Sequence, residues 1–242
     1  MYNNRIFLVL LLLAAILTVT ACNASIIKGS GDLITETRQV SNFDSIDLSG
    51  SGEVIVTQGG SESLTIETDD NVMEHVKAEV VGGTLELGFE EGLNLIDHTR
   101  LIFTVGVDDL KSLKISGSGD IESDMIETPR LDAIISGSGD VQITDLTAEE
   151  VTAKISGSGE IDLAGDATDQ DVTINGSGKY LAGDLCSDSV KVSISGSGDA
   201  TVCATESLDS NISGSGSVNY YGRPSINTSS SGSGKLNNLG EK

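Results

Sequence analysis

Ser189-Val190-Lys191-Val192-Ser193-Ile194-Ser195-Gly196-Ser197-Gly198 is one unit of a repeat, and its reading decides the fold. Val190, Val192 and Ile194 fall on one side of an extended chain, and Lys191 and Ser193 on the other. Such period-two alternation marks a strand with one buried face. The closing tetrapeptide recurs at near-constant spacing, starting at Ser116, Ser136, Ser156, Asn175, Ser195, Ser213 and Ser231. Alternating runs precede other copies (Leu113 and Ile115; Val151, Ala153 and Ile155; Leu208 and Ile212). Alternation resumes afterwards at Ile121, at Val141 and Ile143, and at Ile161 and Leu163. A fixed period near twenty residues marks a chain that stacks one structural unit on itself.

One such unit cannot bury a core alone. Stacked coils can, each pairing its backbone with the coils above and below at about 4.8 Å. The expected fold is all-β: a right-handed parallel β-helix of about 20 residues per coil. Leucine-rich repeats have similar periods, but their consensus is missing, as are the helix formers at 3.6-residue spacing that longer helical repeats need. The composition agrees, with 29 Gly, 2 Pro and no Trp among 242 residues. The paired glycines read as a corner where one strand bends into the next. The parity of Ile115, Gly117, Gly119 and Ile121 equally allows a flat strand with both glycines inward.

Residues 1–21 read as a lipoprotein signal peptide. Arg5 supplies the positive start, and Ile6 to Leu17 is an apolar run short for a membrane span. Val19-Thr20-Ala21-Cys22 resembles a bacterial lipobox, which implies cleavage before Cys22 and lipid on that residue; an ordinary signal peptide that happens to hold a cysteine is the plainer reading. A lipid-bearing chain sits at a membrane without spanning it. With Arg5 set aside, 13 basic residues face 37 acidic ones. That excess argues against nucleic acid as a partner and suits a solvated, extracytoplasmic protein of the cell envelope.

Residues 22–112 read as a less regular N-terminal β cap. They hold a full motif at Ser49-Gly50-Ser51-Gly52, then a gap of a little over three repeat lengths before Ser116, with a hairpin signal at Gly82-Gly83. Residues 113–235 are the β-helix repeats, and 236–242 a fraying C-terminal tail.

At this point the residues resemble a family. Gly29-Ser30-Gly31-Asp32, the spacing of Arg38-Gln39-Val40 and Phe43, Ile46 before Ser49-Gly50-Ser51-Gly52, Asp69-Asp70-Asn71 and the later ladder of motifs together resemble the bacterial "putative auto-transporter adhesin, head GIN domain" family. The resemblance spans roughly residues 30–235. It implies a β-helix-like fold, an envelope or cell-surface location and an adhesive, non-enzymatic role. It brings no catalytic residues.

Candidate chemistry is sparse. Stacking would align Asp120, Asp140 and Glu160, which follow successive motifs. They read as solvated turn carboxylates; a Ca²⁺ site is the alternative, as the one cofactor the pattern offers. Lys179 interrupts the column. The second serines of the motifs form another column, whose hydroxyls are expected to bond along the stack. A serine nucleophile needs a base, and the histidines, His75 and His98, lie in the irregular region. A β-helix polysaccharide lyase is the alternative enzyme reading, but only Arg130 and Arg223 lie in the repeats, and so acidic a chain repels polyuronates. An envelope scaffold or stress component is a further alternative. Cys186 and Cys203 are nearly one coil apart, and each precedes its next motif, at Ser195 and Ser213, by almost the same interval. That places them on adjacent coils of an exported protein and predicts a disulfide. Tyr220, Tyr221 and Arg223 are the candidate contact cluster for a surface glycan or protein ligand.

Overall fold

Each Ser-Gly-Ser-Gly unit proves to be a corner at which one strand hands the chain to the next. The computed structural model describes residues 25–90, 92–96 and 100–242; the leader and Cys22 lie outside them. In the repeat, β10 (Ser112–Gly117) ends at a first glycine and β11 (Asp120–Ser123) begins just after the second. The same break separates β12 (Ile126–Gly137), β13 (Asp140–Gly157), β14 (Glu160–Gly176), β15 (Lys179–Gly196) and β16 (Asp199–Gly214). The last coil comprises β17 (Ser217–Tyr221), β18 (Ser225–Gly232) and β19 (Lys235–Gly240).

Both glycines are demanded by the coil beneath. Gly157 has φ 133°, a conformation that side chains rarely adopt, and a Cβ there would lie 2.1 Å from the Gly137 carbonyl oxygen. A Cβ on Gly159 would lie 2.2 Å from the Gly139 oxygen and 2.8 Å from Cγ2 of Ile135. The isoleucine before one motif thus places its β-branch in the notch left by the second glycine of the next. The corner stays hydrogen-bonded: Ser138 N–H donates to Gly117 O at 2.8 Å, and Ser158 N–H to Gly137 O at 2.9 Å. These serines bond through their backbone. Among the described residues their hydroxyls form no ladder, because the side chains point to solvent.

Like residues pile into columns. Ser116, Ser136 and Ser156 are register partners, as are Ile115, Ile135 and Ile155. The inward columns are apolar and fully buried: Leu113, Ile115, Ile121, Leu131, Ile135, Val151 and Ile155 are all 0% exposed. Burying each such side chain contributes roughly 1.5–3 kcal/mol. Coils of unequal length are accommodated away from this corner. The offset between β13 and β14 changes between Ile143 and Leu146, and that between β15 and β16 changes between Ala182 and Cys186. The glycine corner keeps its register throughout.

The helix begins earlier than the spacing of complete motifs indicates. β3 (Ser45–Gly50) lies parallel to β10 with Ser49 opposite Ser116, and β4 (Glu53–Gln58) lies parallel to β11. Residues 45–58 are therefore a coil of the ladder rather than part of a separate cap. The intervening chain forms the end of the solenoid. There β7 (Thr84–Phe89) stacks parallel under β3, and β9 (Leu101–Val107) under β4. Outside them lie antiparallel strands: β5 (Ser63–Asp69) against β9, β2 (Leu33–Arg38) against β5, and β6 (Val76–Val81) against β7. A short α1 (Asp70–Met73) and the parallel pair β1 (Ser25–Lys28) and β8 (Leu93–Ile96) complete this cap. At the other end, β19 pairs with β17, so residues 236–240 are a ladder strand instead of a frayed tail. No helix among the described residues is long and apolar enough to cross a membrane.

Candidate functional site

The outward columns face solvent. The acidic column is in register, Asp140 opposite Glu160. Its oxygens serve the ladder: Asp120 Oδ1 accepts from Asp140 N–H at 3.1 Å, and Asp140 Oδ1 from Glu160 N–H at 2.9 Å. Asp199 Oδ1 does the same for Ser217 N–H at 3.0 Å. An aspartate directly after the motif thus accepts the first N–H of the next coil. Lys179, in the same column, pairs with Glu160 at 3.4 Å. Among the described residues no group of three or more His, Cys, Asp or Glu side chains is arranged to hold a metal. Beside the column, burial, with nearby Glu160 and Asp184, raises the Asp162 carboxyl above its ordinary value.

Cys186 and Cys203 are register partners, with Cα atoms 4.5 Å apart, and are bonded as a disulfide. The register shift just before them sets them opposite one another: Ala182 still pairs with Val202, and the chain then slips so that Cys186 meets Cys203.

The tyrosine cluster is not the exposed aromatic patch the sequence reading expects. Tyr220 is 7% exposed and belongs to the core; its hydroxyl accepts from Asn238 Nδ2 at 3.0 Å. It faces inward because it occupies the column of Val202 and Val56, the fourth position after the second glycine of its motif. Tyr221 is half-buried, with the Lys242 ammonium 5.0 Å from its ring centroid, and Arg223 pairs with Glu241. Arg130 pairs with Glu150 at 2.9 Å and Asp132 at 3.2 Å. The two repeat-region arginines are thus held in separate ion pairs on different coils. His75 sits near the carboxylates of Glu74 and Glu90, and His98 lies outside the described residues.

Two polar arrangements have no counterpart in the sequence reading. Gln58 stitches the end of β4 to the start of β12. Its Nε2 donates to the carbonyls of Asp108 (3.1 Å) and Glu127 (2.9 Å), and its Oε1 accepts from Glu127 N–H (2.7 Å). It floors a surface depression of about 630 Å³ lined also by Asp109, Met125 and Glu149. Inside the solenoid, Tyr180 donates its hydroxyl to Gln170 Oε1 at 2.8 Å, and Gln170 Nε2 donates to Leu185 O and Ser187 Oγ. The Tyr180, Gln170 and Ser187 side chains are buried, and burial holds the Tyr180 phenol far above its usual value.

The chain is similar to several solved bacterial proteins. One, described as a putative adhesin from Bacteroides fragilis, shares 30% identity with a TM-score of 0.82, over 88% of this chain and 100% of that one. Another, described as a putative lipid binding protein from Parabacteroides distasonis, shares 27% identity with a TM-score of 0.72, over 88% and 99%. A putative adhesin from Parabacteroides merdae, at 24% identity and TM-score 0.72 over 88% and 99%, shows the fold alone. No curated protein matches the chain. The family model described as "Putative auto-transporter adhesin, head GIN domain" matches residues 42–224, well over half of the sequence, and the chain belongs to that family.

Proposed function

We propose that this chain is a non-enzymatic binding protein of the cell envelope, exported, tethered to a membrane through lipid on Cys22, and adhesive. The observation that carries the reading is the separation of faces. The interior is closed by apolar columns, while outward columns such as Lys114, Ile134, Lys154, Thr173, Ser193 and Asn211 run from coil to coil in register. Such a face presents one outward side chain at each coil step of about 4.8 Å. An extended glycan or protein segment can engage several of them at once, and weak contacts then add. The family and its solved relatives are named as adhesins or binding proteins, which supports the adhesive reading over the lyase.

The test is a glycan and matrix-protein array probed with the full chain held in mild detergent. Binding of an extended ligand, weakened by Lys154→Glu on the outward face, is the expected result. Release of unsaturated sugar products from a polysaccharide panel would overturn the non-enzymatic reading. For the tether, Cys22→Ala is expected to move the protein from the membrane fraction to the soluble fraction, and unchanged fractionation would refute it.

A further inference from the structure

We propose that the C-terminal end of the solenoid is a homotypic docking surface, where the free edges of β18 and β19 receive the same edges of a second copy, tail to tail. The inference deepens the binding role proposed above and rests on it for its biological meaning. Its physical basis is independent. Among the described residues β18 pairs with β16 alone and β19 with β17 alone, so each leaves one row of backbone N–H and C=O groups open. Proteins usually blunt such edges with charge, proline or a covering element. β18 has none of these: Ser225-Ile226-Asn227-Thr228-Ser229-Ser230-Ser231-Gly232 carries no charge, and every residue in it is exposed. Ile226 and Leu239 are 43% and 46% exposed. The opposite end is treated differently. There the edge strands β6 and β2, each paired on one side only among the described residues, carry charge (Lys77 and Glu79; Glu36 and Arg38), and the Arg38 guanidinium caps the carbonyls of Val76 (2.6 Å) and Met73 (3.1 Å).

Charge selects the occupant. Residues 25–209 hold 10 basic and 36 acidic side chains, whereas residues 210–242 hold Arg223, Lys235 and Lys242 against Glu241 alone. Two copies brought together through any part of the body set acid against acid. Tail to tail, the acidic bodies point away from each other, and the meeting ends carry little free charge, because Arg223 pairs with Glu241 and Lys242 with Asp184. A two-fold contact also needs no second specialised surface, because free strands related by a two-fold axis pair antiparallel with themselves or with each other.

The side-chain ladders stop unfinished at this end. Asn237 Nδ2 donates to Asn219 Oδ1 at 3.0 Å, and Asn227 Nδ2 to Asp209 Oδ1 at 3.4 Å. The amide oxygens of Asn227 and Asn237 have no donor among the described residues. The inward column turns polar here as well, with Thr228 stacked on Ser210, whose buried hydroxyl has no partner among the described residues. The end is thus a hydrogen-bonding surface, and the pairing is a modest association confined to the edge.

The experiment is sedimentation of the full chain across roughly 1–300 µM, where weak pairing is measurable, with mild detergent present so that the apolar leader does not drive association. The expected result is a concentration-dependent shift from the 25.0 kDa monomer to twice that mass, strengthened by salt that screens the bodies. Ser229→Lys and Leu239→Lys are expected to weaken it at least tenfold. Ser193→Lys, in the same outward column two coils below, is expected to leave it unchanged, with circular dichroism confirming that each variant folds. A monomer at every concentration, or a dimer indifferent to Ser229→Lys, overturns the inference. If the array above is positive while the chain stays monomeric, the docking surface falls and the binding role stands. If the chain pairs through β18 but the array is blank, the docking surface stands and binding of foreign ligands falls.

Discussion

Gly157→Ala tests the geometry on which the fold depends. In the native corner Gly157 has φ 133°, and an added Cβ would sit 2.1 Å from Gly137 O and 3.0 Å from Gly137 C. An ordinary contact needs more than an ångström of additional separation, and the obstacle is backbone. Gly137 O is held by the N–H of Ser158, the residue next to Gly157, at 2.9 Å, so parting the two coils breaks a ladder bond. That bond contributes about 1 kcal/mol net, the backbone conformation costs alanine about 1–3 kcal/mol, and parting two packed coils adds roughly 1–3 kcal/mol of misfit. The sum is about 3–7 kcal/mol, a large part of the roughly 5–15 kcal/mol that holds a typical domain together. Gly60→Ala is the control, because nothing lies within 4 Å of its added Cβ and its φ lies outside the glycine-favouring positive range. Urea unfolding followed by far-ultraviolet circular dichroism is the assay, since the chain has no tryptophan. A Gly157→Ala midpoint matching that of Gly60→Ala would refute the close-approach argument.

Four further outcomes rest on the same geometry. Replacing Cys186 and Cys203 together with alanine is expected to cost about 3 kcal/mol for a loop of this length, and intact-mass analysis is expected to find neither thiol alkylatable before reduction; two free thiols would refute the bridge. Tyr180→Phe removes the hydroxyl that donates to Gln170 Oε1 inside the core and is expected to cost about 1–3 kcal/mol, whereas an unchanged midpoint would show that the network carries no stability. Asp162 binds its proton more tightly in the fold than in the unfolded chain, so its ionised form disfavours the fold above the raised pKa, a cost relieved as pH falls through that value; Asp162→Asn is expected to raise the midpoint at neutral pH and to lose that advantage under acid conditions, and an equal gain at both would contradict the assignment. Because Asp120 and Asp140 spend oxygens on backbone N–H groups, Ca²⁺ is expected to leave thermal unfolding unmoved, and a rise reversed by chelator would place a metal on the column.

What can be read from the sequence is whatever repeats locally. Alternation and the glycine pair recur within each unit, so strand, corner and stacking direction follow from residues close together in the chain. The first coil escapes such a reading because Ser49 meets Ser116 only after the intervening chain has left the ladder, built the cap and returned. Spacing counts along the chain, whereas register is decided by which edge is free when the chain comes back. The inward turn of Tyr220 does have a signal. Position four after the second glycine is inward at Val56, Ser123, Ile143, Leu163, Ala182 and Val202, apolar at all but Ser123, and Tyr220 holds the same position. Aromatic type weighs against position there, and position wins because one reversed side chain would empty a column. The contacts of Gln58 and of Gln170 have no local signal, since each joins segments brought together only by closure of the coil. These two glutamines also bridge places where the regular columns fail: Gln58 at the gap between Ser123 and Ile126, and Gln170 beneath the bulged corner that carries the disulfide. The repeat therefore tolerates coils of unequal length because irregularity falls outside the glycine corner, between Ala182 and Cys186 and again between Ser187 and Ser189, where the long amide of Gln170 meets it, while the glycine corner, packed backbone against backbone, admits none.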